Sequence, residues 1–413
     1  MKKIRFKILS AITLLSVGIL SACGNNANQG SDTSDNNTNN AGEGNSITIW
    51  TNLQNEADVL TDYAEKWGEE TGNVVEVVHE TPDIQQFAQA SKSENGPDGI
   101  FGIANDQLAN YMDAGLVEEV PEDTFSDDDY VDASVQAIYF EGKRYGVPIA
   151  VETNTLFYNT DKVEEAPETW DELTSVANEN GGIQFEATSI YYDLGFLRAF
   201  DSYIFNYSNG EYNVEDIGLG NKGAIEAYEY INNLANEYNF FDSDITSDIA
   251  KGNFQSGETA FYIGGPWDID GFEAAGTPFS VAPMPMLNDN NFVTPVGTQI
   301  GFVSSESPDR EVVWDFYKYV LENASNDLYE VGGRIPAQIE AQESIETNDF
   351  TDAFITQVSY GEPLPTVSEI GQVWTPFLDN IKLMIEEQIT AEEAANYIEQ
   401  QVQEGIEMMN SGQ

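Results

Sequence analysis

Residues 47–101 read ITIWTNLQNEADVLTDYAEKWGEETGNVVEVVHETPDIQQFAQASKSENGPDGIF, and the alternation within them sets the fold class. Ile47-Thr48-Ile49-Trp50 is a short β-rich run. Leu60, Tyr63, Ala64 and Trp67 follow at i, i+3, i+4 and i+7, which makes one apolar stripe of a helix. Thr71-Gly72-Asn73 stops that helix, and Val74-Val75-Glu76-Val77-Val78 reads as a buried strand. Ile84, Phe87 and Ala88 carry a second helix, broken by Asn95-Gly96-Pro97-Asp98-Gly99 before Ile100-Phe101. Strands and helices alternating at these lengths predict βαβ units, because parallel neighbours need a crossover and a helix supplies it.

Outward from this stretch the pattern continues. Gly146-Val147-Pro148-Ile149-Ala150-Val151 is another apolar strand, entered from the turn-like Glu141-Gly142-Lys143. Residues 186–212 are dense in Tyr and Phe, and 224–240 read as one helix through Ala224, Tyr228, Ile231, Leu234 and Tyr238. Thr259-Ala260-Phe261-Tyr262-Ile263 is a strand ending in the turn Gly264-Gly265-Pro266-Trp267; 311–321 and 378–408 are amphipathic helices. Strand-like material from Gln299 to Ser304 returns the chain to its first part, and no fixed-period repeat is present. The expectation is a two-lobed α/β body with several crossings, each lobe a mostly parallel sheet flanked by helices. The first lobe takes 47–150 and about 299–333; the second takes 151–298 and about 334–410.

Charge and composition exclude several functions. The 413 residues hold 16 Lys+Arg against 72 Asp+Glu, a net −56. Nucleic acid is disfavoured as a partner, since its affinity comes largely from cations neutralising phosphates. One Cys rules out a disulfide framework or a Cys-based zinc site, and one His, His79, rules out a multi-His metal centre. His79 ends a Val-rich strand and reads as structural; neither cofactor nor metal is expected.

Residues 1–22 carry Lys2, Lys3, Arg5 and Lys7, then the apolar Ile8 to Leu20, too short to span a bilayer and therefore an export signal. Removing these four cations leaves 12 against 72, a net −60, which repels itself at low salt and is tolerated when screened. Leu20-Ser21-Ala22-Cys23 resembles the lipobox of bacterial lipoproteins, which implies lipidation of Cys23 and anchoring at the outer face of the cell membrane. An ordinary signal peptide with an incidental Cys is the other reading. Residues 23–46 then form a polar, low-complexity tether.

Lipobox, tether and α/β body together resemble the extracellular solute-binding proteins of ATP-driven importers, above all the maltose/maltodextrin-binding branch. The ordered runs that carry the resemblance include Gly96-Pro97-Asp98-Gly99-Ile100-Phe101 and Tyr145-Gly146-Val147-Pro148-Ile149-Ala150-Val151-Glu152. Pro167-Glu168-Thr169-Trp170, Phe254-Gln255-Ser256-Gly257-Glu258-Thr259-Ala260 and Gly264-Gly265-Pro266-Trp267 complete them. The resemblance implies two lobes joined by three crossings, an oligosaccharide held between them, and delivery by a monomer to membrane permease subunits. It also implies the contacts: Glu152 as a hinge carboxylate, Asp106 as a first-lobe carboxylate, and Tyr191, Trp267 and Trp374 as aromatic platforms. The chain departs from that pattern at Gln54, Asn55, Gln107 and Leu378, where charged residues are common, and lacks a first-lobe aromatic near Gly102-Ile103.

These residue types suit a sugar. A hexose stacks its apolar C–H face on Trp or Tyr, while its hydroxyl rim needs fixed acceptors, and carboxylates make the stronger hydrogen bonds. Trp50 and Trp67, on a strand and a helical stripe, read as core. Trp267, after a Gly-Gly-Pro turn, and Trp374, near Pro376, read as cleft residues. Glu152 follows an apolar strand, where parallel-sheet proteins place ligand contacts. Asp106, without the resemblance, reads as the N-cap of a helix beginning at Gln107.

Three rivals remain: a carboxylate-pair glycoside hydrolase, a binder of cationic solutes such as polyamines, and a ferric-ion binder using Tyr191-Tyr192. No carboxylate pair stands out by spacing, so a non-enzymatic binder is expected.

Overall fold

The computed structural model describes residues 44–411 apart from 81–82, 94–95, 141 and 209; the export signal, Cys23 and the tether up to residue 43 lie outside the described residues. In chain order the elements are β1 (Ser46–Thr51), α1 (Ala57–Thr71), β2 (Val74–His79), α2 (Ile84–Ala90), β3 (Gly99–Ala104), α3 (Asn105–Asp113), α4 (Asp132–Gln136), β4 (Tyr139–Phe140), β5 (Lys143–Arg144), β6 (Val147–Thr153) and β7 (Thr155–Asn159). The chain continues as α5 (Trp170–Asn180), β8 (Ile183–Gln184), α6 (Ile190–Ala199), β9 (Phe205–Ser208), β10 (Glu211–Ile217), α7 (Lys222–Asn236), α8 (Ser247–Gln255), β11 (Phe261–Gly264), α9 (Ile269–Ala275), β12 (Phe279–Ala282) and β13 (Val296–Val303). The remainder is almost all helix: α10 (Arg310–Asn323), α11 (Ser325–Gly332), the short β14 (Ile335–Pro336), α12 (Ile339–Ser344), α13 (Asp349–Val358), α14 (Trp374–Ile385) and α15 (Ala391–Ser411).

Two principal sheets organise these elements, one in the order β14-β6-β13-β3-β1-β2 and the other in the order β12-β7-β11-β8. Ile47 and Ile49 project from β1 into a core with Leu60, Ala64 and Trp67 of α1 and Phe316, Tyr317 and Val320 of α10. The alternating register of β1 makes this possible, since residues two apart share a face. Ile100 and Ile103 of β3 pack in a second cluster with Phe87, Leu108, Tyr111 and Phe302. Each large side chain removed from water in this way contributes about 1.5–3 kcal/mol. Gly72, at φ 81°, ends α1 in the left-handed conformation that glycine tolerates best.

Beneath the second sheet the core is aromatic. Phe157 of β7 meets Phe254, Tyr262 and Phe272 at ring-centroid distances of 5.6–6.4 Å. Trp170, at the start of α5, is fully buried against Phe196 and Phe292.

Several expectations need correction. The sheets are mixed rather than mostly parallel: β1–β2, β1–β3 and β8–β11 are parallel, while β13 runs antiparallel to β3 and β6, and β7 antiparallel to β11 and β12. β6 passes into β7 through Asn154 alone, so the chain changes sheets there with no helical crossover. β2 is an edge strand and not a buried one, with Val74 59% exposed. His79, at its end, is exposed. The helix expected over 224–240 stops at Asn236, and Asn239 takes φ 57°; the stretch 378–408 is two helices separated near Glu387, also at φ 57°. The tether's end is held, since Asn45 donates through its side chain to Asp309 at 2.8 Å and Ser46 opens β1. Trp67 is core as expected, whereas Trp50 is only half-buried, edge-on to Phe87 at 6.0 Å.

Candidate ligand-binding site

Glu152 is the penultimate residue of β6, opposite Gly297 of β13, where the chain is about to leave the first sheet. Its Oε1 accepts from Gln299 Nε2 at 3.4 Å, and its Oε2 lies 3.6 Å from Arg334 Nε. Burial pushes its pKa up; the Arg334 charge and the Gln299 hydrogen bond oppose that rise, and Glu56 adds to it. Arg334 also ion-pairs through Nη1 with Glu56, whose side chain is almost wholly buried at the entry to α1.

Asp106 sits in the first turn of α3. Ala104, not Asp106, occupies the N-cap, so the capping role considered for Asp106 is corrected. The preceding Asn105 fixes the helix start against β13 by accepting from the Thr298 N–H at 3.0 Å. Loss of surrounding water raises the Asp106 pKa, held back by the backbone N–H groups of Asp106 and Gln107, although its side chain remains open to solvent. Tyr191, in the first turn of α6, is part-buried. Burial drives its phenol strongly upward, and Tyr192, Glu152 and Asp106 raise it further. Both the Glu152 and the Asp106 charge thus act on the Tyr191 phenol. All three combine solvent access with desolvation, as side chains in a cleft do.

The two tryptophans are presented differently. β11 ends in Gly264, and a single helical turn, Pro266–Asp268, follows. Asp268 holds this turn by accepting from Tyr262 Oη at 2.9 Å and pairing with Lys251 Nζ at 2.6 Å. The Trp267 indole folds back over Gly265 so closely that a Cβ there would stand 2.2 Å from the ring. It is nonetheless 48% exposed, an unusual state for the largest apolar side chain. Trp374 opens α14 at 37% exposed, and Leu378, one turn on, is 41% exposed on the same face. No direct contact joins either indole to the three residues above among the interactions described.

Tyr191 and Tyr192 meet edge to face at 5.2 Å and have different surroundings. The Tyr192 hydroxyl accepts from Ser247 Oγ at 3.4 Å, whereas the charges of Glu152 and Asp106 act on Tyr191, and burial raises both phenols. An iron site needs phenolates turned to a common point, so this arrangement argues against one. A groove of about 640 Å³ runs from Ala109 and Asp113 of α3 past Tyr139 and Tyr212 to 366–369, just ahead of Trp374. A larger one, about 760 Å³, lies along α11 and α12 and holds none of these residues.

Arg334, Glu56 and Gln299 were not singled out from the sequence. The available signal was the scarcity of cations, which makes an Arg after Gly332-Gly333 conspicuous, but its partners lie far away in the chain.

A profile of the bacterial extracellular solute-binding protein family matches residues 62–354. The maltodextrin-binding protein MdxE of Bacillus subtilis (strain 168) is 30% identical, over 75% of this chain and 78% of its own length. A galactooligosaccharide-binding protein of the same organism is 26% identical, over 90% and 89%. Among solved structures, a cyclo/maltodextrin-binding protein complexed with maltotetraose superposes with a TM-score of 0.85 at 25% identity, covering 89% of this chain and 99% of that one.

Proposed function

Because the chain belongs to the bacterial extracellular solute-binding proteins, we propose that it captures a neutral maltodextrin-type oligosaccharide by lobe closure, for delivery to the permease subunits of an ABC importer. The observation that carries this reading is the set of solvent-reachable but desolvated groups Asp106, Glu152 and Tyr191, together with the exposed indoles Trp267 and Trp374. Carboxylates would accept from the hydroxyl rim, and indoles would stack on the sugar faces. In this reading the first lobe is built on the β1–β3 sheet and the second on the β7–β11 sheet, with Asn154 at the first crossing. The three crossings act as a hinge, and the sugar closes the lobes because its contacts converge only in the closed arrangement. Binding without turnover, a Cys23 lipid anchor at the outer face of the cell membrane and a monomeric state complete the proposal. Its energetic expectation is micromolar affinity, about −8 kcal/mol, since closure offsets part of the contact energy.

Similarity over most of the chain to the galactooligosaccharide-binding protein favours a second ligand for the same cleft. The test is tryptophan fluorescence of the full chain in mild detergent, titrated with maltotriose, maltotetraose, a galactooligosaccharide and spermidine. Saturable change with the glucans and no release of reducing sugar supports the proposal. Response to the galactooligosaccharide alone transfers the site to that sugar. Response to spermidine alone, or reducing-sugar release, overturns the reading.

A further inference from the structure

Arg334 stands where three separate parts of the chain meet. Its Nη1 ion-pairs with Glu56, 4% exposed at the entry to α1, and its Nε lies 3.6 Å from Glu152 Oε2 at the end of β6. Arg334 itself immediately precedes β14, which pairs with β6 through Ile335↔Val151. The Nε is buried and makes no hydrogen bond, so it is held towards Glu152 at ion-pair range without being used up. The backbone packing is also shaped for this pair, since a Cβ on Gly332 would stand 2.1 Å from the Glu56 carboxylate.

A guanidinium presents its donors in a rigid planar fork, so fixing one edge on Glu56 also fixes the direction of Nε. The charged and titratable groups that act on Glu152 are Arg334, Glu56 and Tyr191, and Arg334 is the one cation among them. Without it, two carboxylates and a phenol would face one another with no compensating charge.

We propose that Arg334 is a positioning residue for sugar capture: anchored on Glu56, it aims the Glu152 carboxylate into the cleft and keeps it an acceptor. It need not touch the sugar. The inference rests on the proposed function and adds to it the device that makes Glu152 competent. It also accounts for a buried Glu56, which functions as the guanidinium's anchor.

The test compares maltotriose affinity of the full chain, from pH 5 to 8, for the parent, Arg334→Met, Arg334→Lys, Glu152→Gln and the double variant Arg334→Met/Glu152→Gln. Because Arg334→Met leaves Glu56 buried without a partner, Glu56→Gln/Arg334→Met is included as a variant that removes both charges together. Arg334→Met should raise Kd at least 10-fold at pH 7, and the deficit should widen as pH falls, because Glu152 then takes up its proton at higher pH. Arg334→Lys should recover part of the loss. In the Glu152→Gln background the same change should cost less than 2-fold. Equal losses in both backgrounds, or a deficit that does not vary with pH, would overturn the inference. A parent chain that ignores maltotriose instead defeats the proposed ligand.

Discussion

Asp193 offers a quantitative test of how the second core is built. It lies on α6 with no exposed surface, and neither carboxylate oxygen has a hydrogen-bond partner among the described residues. Burial pushes its pKa well above the ordinary 3.8, and the charge of Glu186 adds to the rise. The folded chain therefore holds this proton more tightly than the unfolded chain. Stability contributed by the group is complete below the unfolded pKa and is lost as pH rises towards the folded one. A single proton limits that loss to about 1.4 kcal/mol per pH unit. From pH 5 to 7 the limit is about 2.7 kcal/mol, a large share of a typical 5–15 kcal/mol of folding stability. Asp193→Asn keeps the shape and removes the titration. The assay is the urea midpoint at fixed ionic strength, followed by tryptophan fluorescence at pH 5, 6, 7 and 8. The remaining acidic residues cancel in the difference between variant and parent. The variant should gain on the parent with each rise in pH. A difference that stays constant across the range would refute the reasoning, since Asp193 would then be ionised in the folded protein or paired there.

Other expectations follow from the same geometry. Trp267→Ala should weaken maltotriose binding by about 1–3 kcal/mol, or roughly 5–150-fold, with the melting temperature unchanged; an unaltered Kd by titration calorimetry removes Trp267 from the cleft. Glu152→Gln should weaken binding about 10-fold by replacing a charged acceptor with a neutral one, yet leave thermal stability nearly intact. A large drop in melting temperature would make Glu152 a structural residue. Gly195→Ala sets two effects against each other: better helix propensity gains about 1 kcal/mol, but the new Cβ would stand 2.1 Å from the Phe292 ring. Overpacking costs about 1–3 kcal/mol and should win, so denaturant unfolding should show net destabilisation.

Most of the first sheet was legible because period and partner are local, whereas of the second sheet only β11 was read from the sequence. Leu60, Tyr63, Ala64 and Trp67 needed only a helical count, and the Gly264-Gly265-Pro266-Trp267 turn marked the end of β11 from its punctuation alone. What stayed hidden depended on distant partners or on single dihedral angles. Asn239 and Glu387 follow helix ends at positive φ; Asn tolerates that conformation better than most residues, but Glu387 gives no such signal. Mixed pairing was missed because β6 and β13 have the composition of parallel strands, and only their spatial order reveals their direction. Arg334 acquires meaning when 56, 152 and 334 are brought together, which no window along the chain contains.

The position of β13 has a further consequence for how this protein forms. It lies between β3 and β6, and its bonds reach back 193 residues from Thr298 to Asn105 and 147 from Gln299 to Glu152. During synthesis the first sheet therefore waits, with the facing edges of β3 and β6 unpaired, until residues beyond 303 have emerged. Contacts of such sequence separation form slowly, and unpaired apolar strands are prone to associate with other chains meanwhile. Refolding of the full chain should accordingly be limited by completion of the first sheet. Shortening the chain before residue 296 would leave the N-terminal part an aggregating fragment rather than a smaller domain.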